Sequence, residues 1–201
     1  MPNRLLLLAT GNQHKLIEMR ALLGDIPFDL VSPRDLGLTL EVDEPFDTYL
    51  QNATQKARAY AAASGQLALA DDSGIEIDGM GGAPGVFSAR FGAVEMPYPE
   101  RFALIEARLA GLPMAQRTAR YRCMMVLAAP PPDDRTAASE GAVHGQITPT
   151  ARGTNGFGYD PIFWLPERHV TMAELPAAEK DAISHRGNAA RAMAEILQSW
   201  Q

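Results

Sequence analysis

A single cysteine, Cys123, in 201 residues rules out an internal disulfide, and nothing points to an oxidising compartment. Positive charge is scarce: 18 Lys and Arg stand against 24 Asp and Glu, for a formal charge of -6 and a pI near 5.2. Proteins that grip a nucleic-acid backbone usually show a basic domain or face, so no nucleic-acid partner is expected. Long apolar runs are missing too. Leu5–Ala9 is too short for a signal-peptide core and far too short to cross a bilayer, so no membrane partner is expected. The chain has no internal repeat, heptad array or low-complexity segment. It also lacks a C-x-x-C pair, a His-rich zinc spacing, a Ser/His/Asp order and the P-loop pattern G-x-x-x-x-G-K-[ST]. The composition, 46% hydrophobic and 21% charged, is too apolar for a disordered chain and describes a soluble cytoplasmic globular protein. At roughly 150 residues per domain the length predicts one domain with a substantial core.

The hydrophobic pattern predicts a mixed α/β sheet. Leu5–Ala9 reads as a strand buried on both faces, broken by Thr10-Gly11-Asn12, with Asn12 as the N-cap of a helix. Leu16, Met19, Leu22 and Leu23 form that helix's inner face, and Gly24 is the expected stop. A second helix is expected from Phe46 to about Ala63, burying Phe46, Tyr49, Leu50, Ala53, Ala57 and Tyr60. Gln66–Asp78 reads as a strand, Gly79–Gly92 as a glycine loop and Pro99–Ala110 as a helix. Thr118–Ala129 and Ala137–Thr148 read as longer strands around a Pro130–Arg135 loop. Gly153–Asp160 is a second glycine loop, Pro161–Trp164 a short strand, and His185 to Gln198 a last helix.

Several residues sit awkwardly in that frame. Lys15 falls in the first turn of its helix, where the dipole favours anions and a cation costs about 0.3–1 kcal/mol. A phosphate group held by the backbone amides of the strand–turn–helix entry would account for it, and so would a solvated lysine. Lys56 lies on the inward face of its helix and must either extend to water or reach a buried anion. Asp71-Asp72-Ser73-Gly74 interrupts an apolar strand; successive residues point to opposite faces, so one aspartate alone can face a given site. Carboxylates in a sheet need partners, and a divalent cation is a natural one. Lys180 precedes Ser184-His185-Arg186, which puts cations at the start of the last helix. Phe157-Gly158-Tyr159-Asp160 places two aromatic rings in a glycine loop, as plugs or as platforms for a planar base. Together these residues describe a nucleoside triphosphate site with a divalent metal, without specifying which bond is broken.

Four segments carry a resemblance: Thr10-Gly11-Asn12-Gln13-His14-Lys15; Ala70-Asp71-Asp72-Ser73-Gly74 with Gly82-Ala83-Pro84-Gly85-Val86-Phe87-Ser88-Ala89-Arg90; Gly156-Phe157-Gly158-Tyr159-Asp160-Pro161-Ile162-Phe163; and Ser184-His185-Arg186. In this order, over nearly the whole chain, they resemble the inosine triphosphate pyrophosphatase family, enzymes that hydrolyse ITP, dITP and XTP to the monophosphate and pyrophosphate. The resemblance implies an elongated two-lobed α/β fold around a long mixed β-sheet with flanking helices, a substrate cleft between the lobes, and a homodimer. It also implies Mg2+ as cofactor, with Mn2+ as substitute. By the same resemblance Thr10, Gly11, Asn12, Gln13, His14 and Lys15 cradle the triphosphate and Lys56 adds a phosphate contact. Asp72 is the general base and a metal ligand, with Ser73 touching substrate beside it. Glu44, in Glu41-Val42-Asp43-Glu44, is the second metal carboxylate, with Asp43 as the alternative. Phe157 stacks on the base in the Phe157–Asp160 loop, and Asp160, Lys180, His185 and Arg186 frame the base edge, His185 and Arg186 as donors to the purine O6. Two positions depart from the family pattern: His14 stands where a small residue is common and Asn155 where glycine is common.

Overall fold

The computed structural model describes residues 4–24 and 26–200. Its centre is a mixed seven-stranded sheet with the strand order β2-β1-β3-β4-β5-β6-β7. The strands are β1 (Arg4–Leu8), β2 (Phe28–Val31), β3 (Leu67–Ile77), β4 (Thr118–Ala128), β5 (Thr136–Ile147), β6 (Phe163–Leu165) and β7 (Val170–Thr171). β1 runs parallel to both β2 and β3, whereas β6 is antiparallel to β5 and to β7. Five α-helices complete the fold: α1 (Gln13–Leu22), α2 (Tyr49–Ser64), α3 (Tyr98–Leu109), α4 (Ala177–Ile183) and α5 (His185–Ser199). Among the described residues, no helix is long and apolar enough to cross a membrane.

The chain divides into two compact units, one made of residues 1–72, 123–141 and 186–201, the other of 73–122 and 142–185. In the first unit, strand alternation sorts side chains onto two faces. Leu6 and Leu8 of β1, Leu67 and Leu69 of β3, and Cys123, Met125 and Leu127 of β4 pack with Leu16, Met19 and Leu23 of the α1 segment and Ala189, Met193 and Leu197 of α5. Their neighbours Leu7, Ala68, Ala70, Val126 and Ala128 face the other way, onto Ala53, Ala57, Tyr60 and Ala61 of α2. In the second unit, Ile75 and Ile77 of β3 and Tyr121 of β4 pack with Ile105 and Leu109 of α3 and with Tyr159, Ile162 and Phe163. The alternate position Glu76 instead pairs with Arg120 and Arg122.

Local chemistry moves two of the predicted boundaries. α2 begins at Tyr49, because the Thr48 hydroxyl caps it by accepting from Gln51 N. Phe46 and Leu50 are consequently 36% and 46% exposed, and the buried face runs through Tyr49, Asn52, Ala53, Ala57, Tyr60 and Ala61. α1 ends at Leu22, two residues before Gly24, with Leu23 N donating to Met19 O. The sequence reading did not include β2, β7 or α4.

Candidate active site

The β1–α1 turn is held by its own side chains. Thr10 Oγ1 accepts from Asn12 N at 3.2 Å, and Asn12 Oδ1 accepts from Lys15 N, also at 3.2 Å, as the cap of α1. Thr10, Gly11 and Gln13 line a cavity of about 420 Å³ together with Thr39, Glu41 and Tyr60. His14, the first departure from the family pattern, is exposed on α1.

The β3 alternation then separates the two aspartates. Asp71 follows Leu67 and Leu69 towards α1 and α5, where its fully buried carboxylate receives Lys15 Nζ at 2.8 Å and Arg186 at 3.4 Å. Arg186, 2% exposed, also pairs with Glu18 of α1 at 2.6 Å. Burial alone would raise the Asp71 pKa, but Lys15, Arg186 and Lys56 outweigh it and hold the carboxyl well below the usual range. Lys15 at the start of α1 and Arg186 at the start of α5 are thus both held by a carboxylate of the protein itself.

Asp72 follows Ala68 and Ala70 towards α2, where Asn52 Nδ2 donates to its Oδ2 at 3.0 Å. Burial pushes the Asp72 pKa up, and the charge of Glu44 adds to the rise against the pull of Asn52, Lys56 and Lys15. Lys56 resolves its inward position by pairing with Glu44. Burial works against its charged form, but Asp71, Glu44 and Asp72 raise its pKa overall. Glu44 is half-buried in this group, whereas the Asp43 side chain is exposed and its backbone carbonyl accepts from Gln55.

This cluster gathers Lys15, Lys56 and Arg186 against Glu18, Glu44, Asp71 and Asp72, three cations against four carboxylates. A polyphosphate meets net repulsion there unless a cation joins it. Asp72 and Glu44 supply hard oxygen donors, close enough that the Glu44 charge raises the Asp72 pKa, which suits Mg2+ or Mn2+. Among the described residues no group of three or more His, Cys, Asp or Glu side chains could enclose a metal. Such an ion would keep much of its shell for water and phosphate oxygens, as Mg2+ commonly does.

The second unit holds the aromatic loop. Asp160 and Lys180, each almost fully buried, pair at 2.8 Å, and Asp160 Oδ2 also accepts from Phe157 N at 3.0 Å. Lys180 Nζ lies 4.8 Å from the centre of the half-buried Phe157 ring. Gly156 is required here: its φ is +72°, and a β-carbon would fall 2.1 Å from Asp160 Oδ2. Asn155, the other departure from the family pattern, anchors the loop through its N–H to Ala173 O and its Nδ2 to Leu175 O. Tyr159 is a plug: it is buried, its hydroxyl donates to Ser88 O at 2.8 Å, and its ring meets Tyr98 edge-on. Gly158 lies between the two rings with φ +70°. His185 stacks face to face on Tyr121, with ring centres 4.6 Å apart and planes at 10°. Ser73, directly after Asp72 on β3, is half-buried.

The sequence reading missed Asn52, Glu18 and Tyr121. Asn52 left a trace, a polar residue on the inward face of α2 one turn before Lys56; Glu18 and Tyr121 carry no local signal.

A sequence model of the Ham1 family matches residues 6–196. The chain is 41% identical to the dITP/XTP pyrophosphatase of Photobacterium profundum over 193 residues, covering 96% of this chain and 98% of that one. It is 38% identical to the Bacillus subtilis protein of the same name, covering 96% of each. Among solved structures, a HAM1 protein from Coxiella burnetii superposes with a TM-score of 0.89 at 36% identity, covering 98% of this chain and all of that one. A nucleoside-triphosphatase, dITP/XTP pyrophosphatase, from Mycobacterium abscessus gives 0.74, also at 36% identity, covering 96% and 98%. Sequence and fold agree over nearly the full length, and the chain belongs to the Ham1 family.

Proposed function

We propose that this protein hydrolyses non-standard purine nucleoside triphosphates, ITP, dITP and XTP, to the nucleoside monophosphate and pyrophosphate, which keeps them out of DNA and RNA. The observation that carries the reading is the division of labour on β3: Asp71 is neutralised by Lys15 and Arg186, while Asp72, with raised proton affinity, faces Glu44 and Lys56. The names of the full-length relatives support the same reaction.

In this reading the segment from Thr10 to Lys15 cradles the phosphate oxygens at the start of α1. Asp72 accepts a proton from the water that attacks the α-phosphorus. The bond from that phosphorus to the bridging oxygen breaks, and pyrophosphate leaves with that oxygen. Lys15 and Lys56 stabilise the charge that develops on the departing group. Asp72 and Glu44 would hold Mg2+, or Mn2+ in its place; when bound, the ion offsets phosphate charge and acidifies water. Ser73 touches the substrate beside Asp72.

The Phe157 ring is the stacking platform for the base, steadied by Lys180 and Asp160. His185, held flat on Tyr121, donates to the purine O6, where adenine would present a donor of its own. A site built to hydrogen-bond one edge can discriminate by about 10⁴-fold or more. Arg186, which pairs with Glu18 and Asp71, shares this task in the proposed reading. The compartment in this reading is the cytoplasm and the assembly a homodimer, the latter read by light scattering.

The test is hydrolysis of ITP, dITP, XTP, ATP and GTP with Mg2+, with pyrophosphate assayed separately from orthophosphate. Pyrophosphate from the first three, with ATP and GTP nearly untouched, is expected. Orthophosphate as product, or equal rates on ATP, would overturn the assignment.

A further inference from the structure

Asn52 is 1% exposed on the inner face of α2, whose other buried positions are Tyr49, Ala53, Ala57, Tyr60 and Ala61. A buried primary amide is costly unless its polar atoms are bonded, so its partners show what it is for. Its Oδ1 accepts from Phe46 N at 2.9 Å. Its Nδ2 donates to Phe46 O at 3.1 Å and to Asp72 Oδ2 at 3.0 Å. Both amide protons are therefore used, on two segments far apart in sequence. Phe46 lies two residues after Glu44, and the intervening Pro45 restricts the backbone that joins them. One turn along the same helix, Lys56 pairs with the Glu44 carboxylate. The amide thus ties the backbone just beyond Glu44 to the carboxylate of Asp72.

We propose that Asn52 is a positioning residue that fixes the separation and orientation of Asp72 and Glu44, and so sets the geometry in which they take a divalent cation. This rests on the metal role assigned to the two carboxylates above. Mg2+ demands near-ideal octahedral geometry, so a small displacement of either ligand weakens the site even though both carboxylates remain. Lys56 neutralises Glu44 but does not orient Asp72, whereas Asn52 acts on both segments at once.

The experiment compares wild type with Asn52→Ala and with Asn52→Leu, which fills the same space without polar atoms. Three quantities are read: Mn2+ binding to the nucleotide-free protein by EPR, kcat and KM for ITP across a Mg2+ series, and amide exchange over residues 44–48. Partners that orient metal ligands ordinarily contribute about 10–100-fold to metal affinity or activity, so losses of that order are expected in Mn2+ affinity and in kcat. KM at saturating Mg2+ should stay within about threefold, because Asn52 touches no substrate, and exchange at Phe46 should accelerate. Faster exchange with Mn2+ affinity and kcat both retained would reduce Asn52 to a structural latch and overturn the proposal. If the alanine variant fails to fold, the leucine variant decides by the same readings. A wild type that binds Mn2+ but releases no pyrophosphate from any nucleotide would defeat the proposed reaction alone, leaving Asn52 to be judged on Mn2+ affinity. A wild type that binds no Mn2+ would overturn the proposal itself.

Discussion

Replacing Asp71 with asparagine removes one charge from the most enclosed electrostatic group in the first unit while keeping the side chain's shape. The wild-type carboxylate has no solvent exposure and meets Lys15 at 2.8 Å and Arg186 at 3.4 Å. Removing one member of a buried pair ordinarily costs about 3–5 kcal/mol, because the other charge stays buried without compensation. Arg186 keeps Glu18 at 2.6 Å, and Lys15 is partly solvated, which places Asp71→Asn at the lower end. A loss of about 3 kcal/mol corresponds to a fall in Tm of about 6–12 °C for a chain of this size. The pH dependence gives a sharper signature. The folded-state pKa of Asp71 lies below its unfolded value, so its contribution is complete above the unfolded value and fades as pH falls towards the folded one. The gap between wild type and variant should hold level from about pH 8 to about pH 5 and close below about pH 4. Urea unfolding at a series of pH values measures it. A gap under about 1 kcal/mol at neutral pH, or one that closes between pH 8 and 6, would refute the account of Asp71 as the counter-charge of Lys15 and Arg186.

Asp72→Asn should fold and lose about 10²–10⁴-fold or more in kcat for ITP, as expected when a general base is removed; near-wild-type pyrophosphate release would sink that role. The metal-free variant should also melt higher than wild type at neutral pH. A carboxyl with a raised folded pKa contributes stability below its unfolded pKa, and that contribution is lost as pH rises through the folded one. Phe157→Ala should weaken nucleotide binding by about 1–3 kcal/mol, seen as a higher KM with kcat largely kept, if the ring stacks on the base as proposed and takes no part in bond breaking. Burial and the nearby Asp71 charge push the Cys123 thiol up to about 12, so it should resist a maleimide in the native protein at pH 8 and react fully once unfolded.

The elements legible in the sequence are those whose own pattern suffices. β1, β3 and β4 carry continuous or alternating apolar runs, and α1 and α5 repeat apolar residues at helical spacing. The elements that escaped depend on neighbours. β2 has four residues, one of them Asp29, and exists as a strand through its pairing with β1. β7 has two residues, defined by Val170 and Thr171 opposite Leu165 and Trp164 of β6. α4 has seven residues after Pro176, below the length at which a helix is stable by itself. The site divides in the same way. Charge at an unfavourable place marks Lys15, Lys56, Lys180 and Arg186 from sequence alone, but their partners depend on the fold: Lys15 meets Asp71 across 56 positions and Arg186 meets Glu18 across 168. A cation at a helix start was read as a sign of phosphate, when a buried carboxylate of the same chain meets that requirement too.

The contrast between two adjacent aspartates follows from one property of a strand. With a side-chain period of two, β3 sends Asp71 towards the cations of α1 and α5 and Asp72 towards Asn52 of α2, with Glu44 and Lys56 close by. The first environment lowers proton affinity and the second raises it, although the two residues share a backbone and a composition. The same Asp-to-Asn change should therefore destabilise the metal-free protein at position 71 and stabilise it at position 72. A stabilising charge is worth fixing in the core, whereas a destabilising one persists only where the chemistry requires it. Opposite signs at neighbouring positions would thus separate the aspartate that builds the site from the one that works in it, without a substrate in the tube. Equal signs would mean that β3 does not sort the two carboxylates, and the assignment of Asp72 as the base would lose its structural ground.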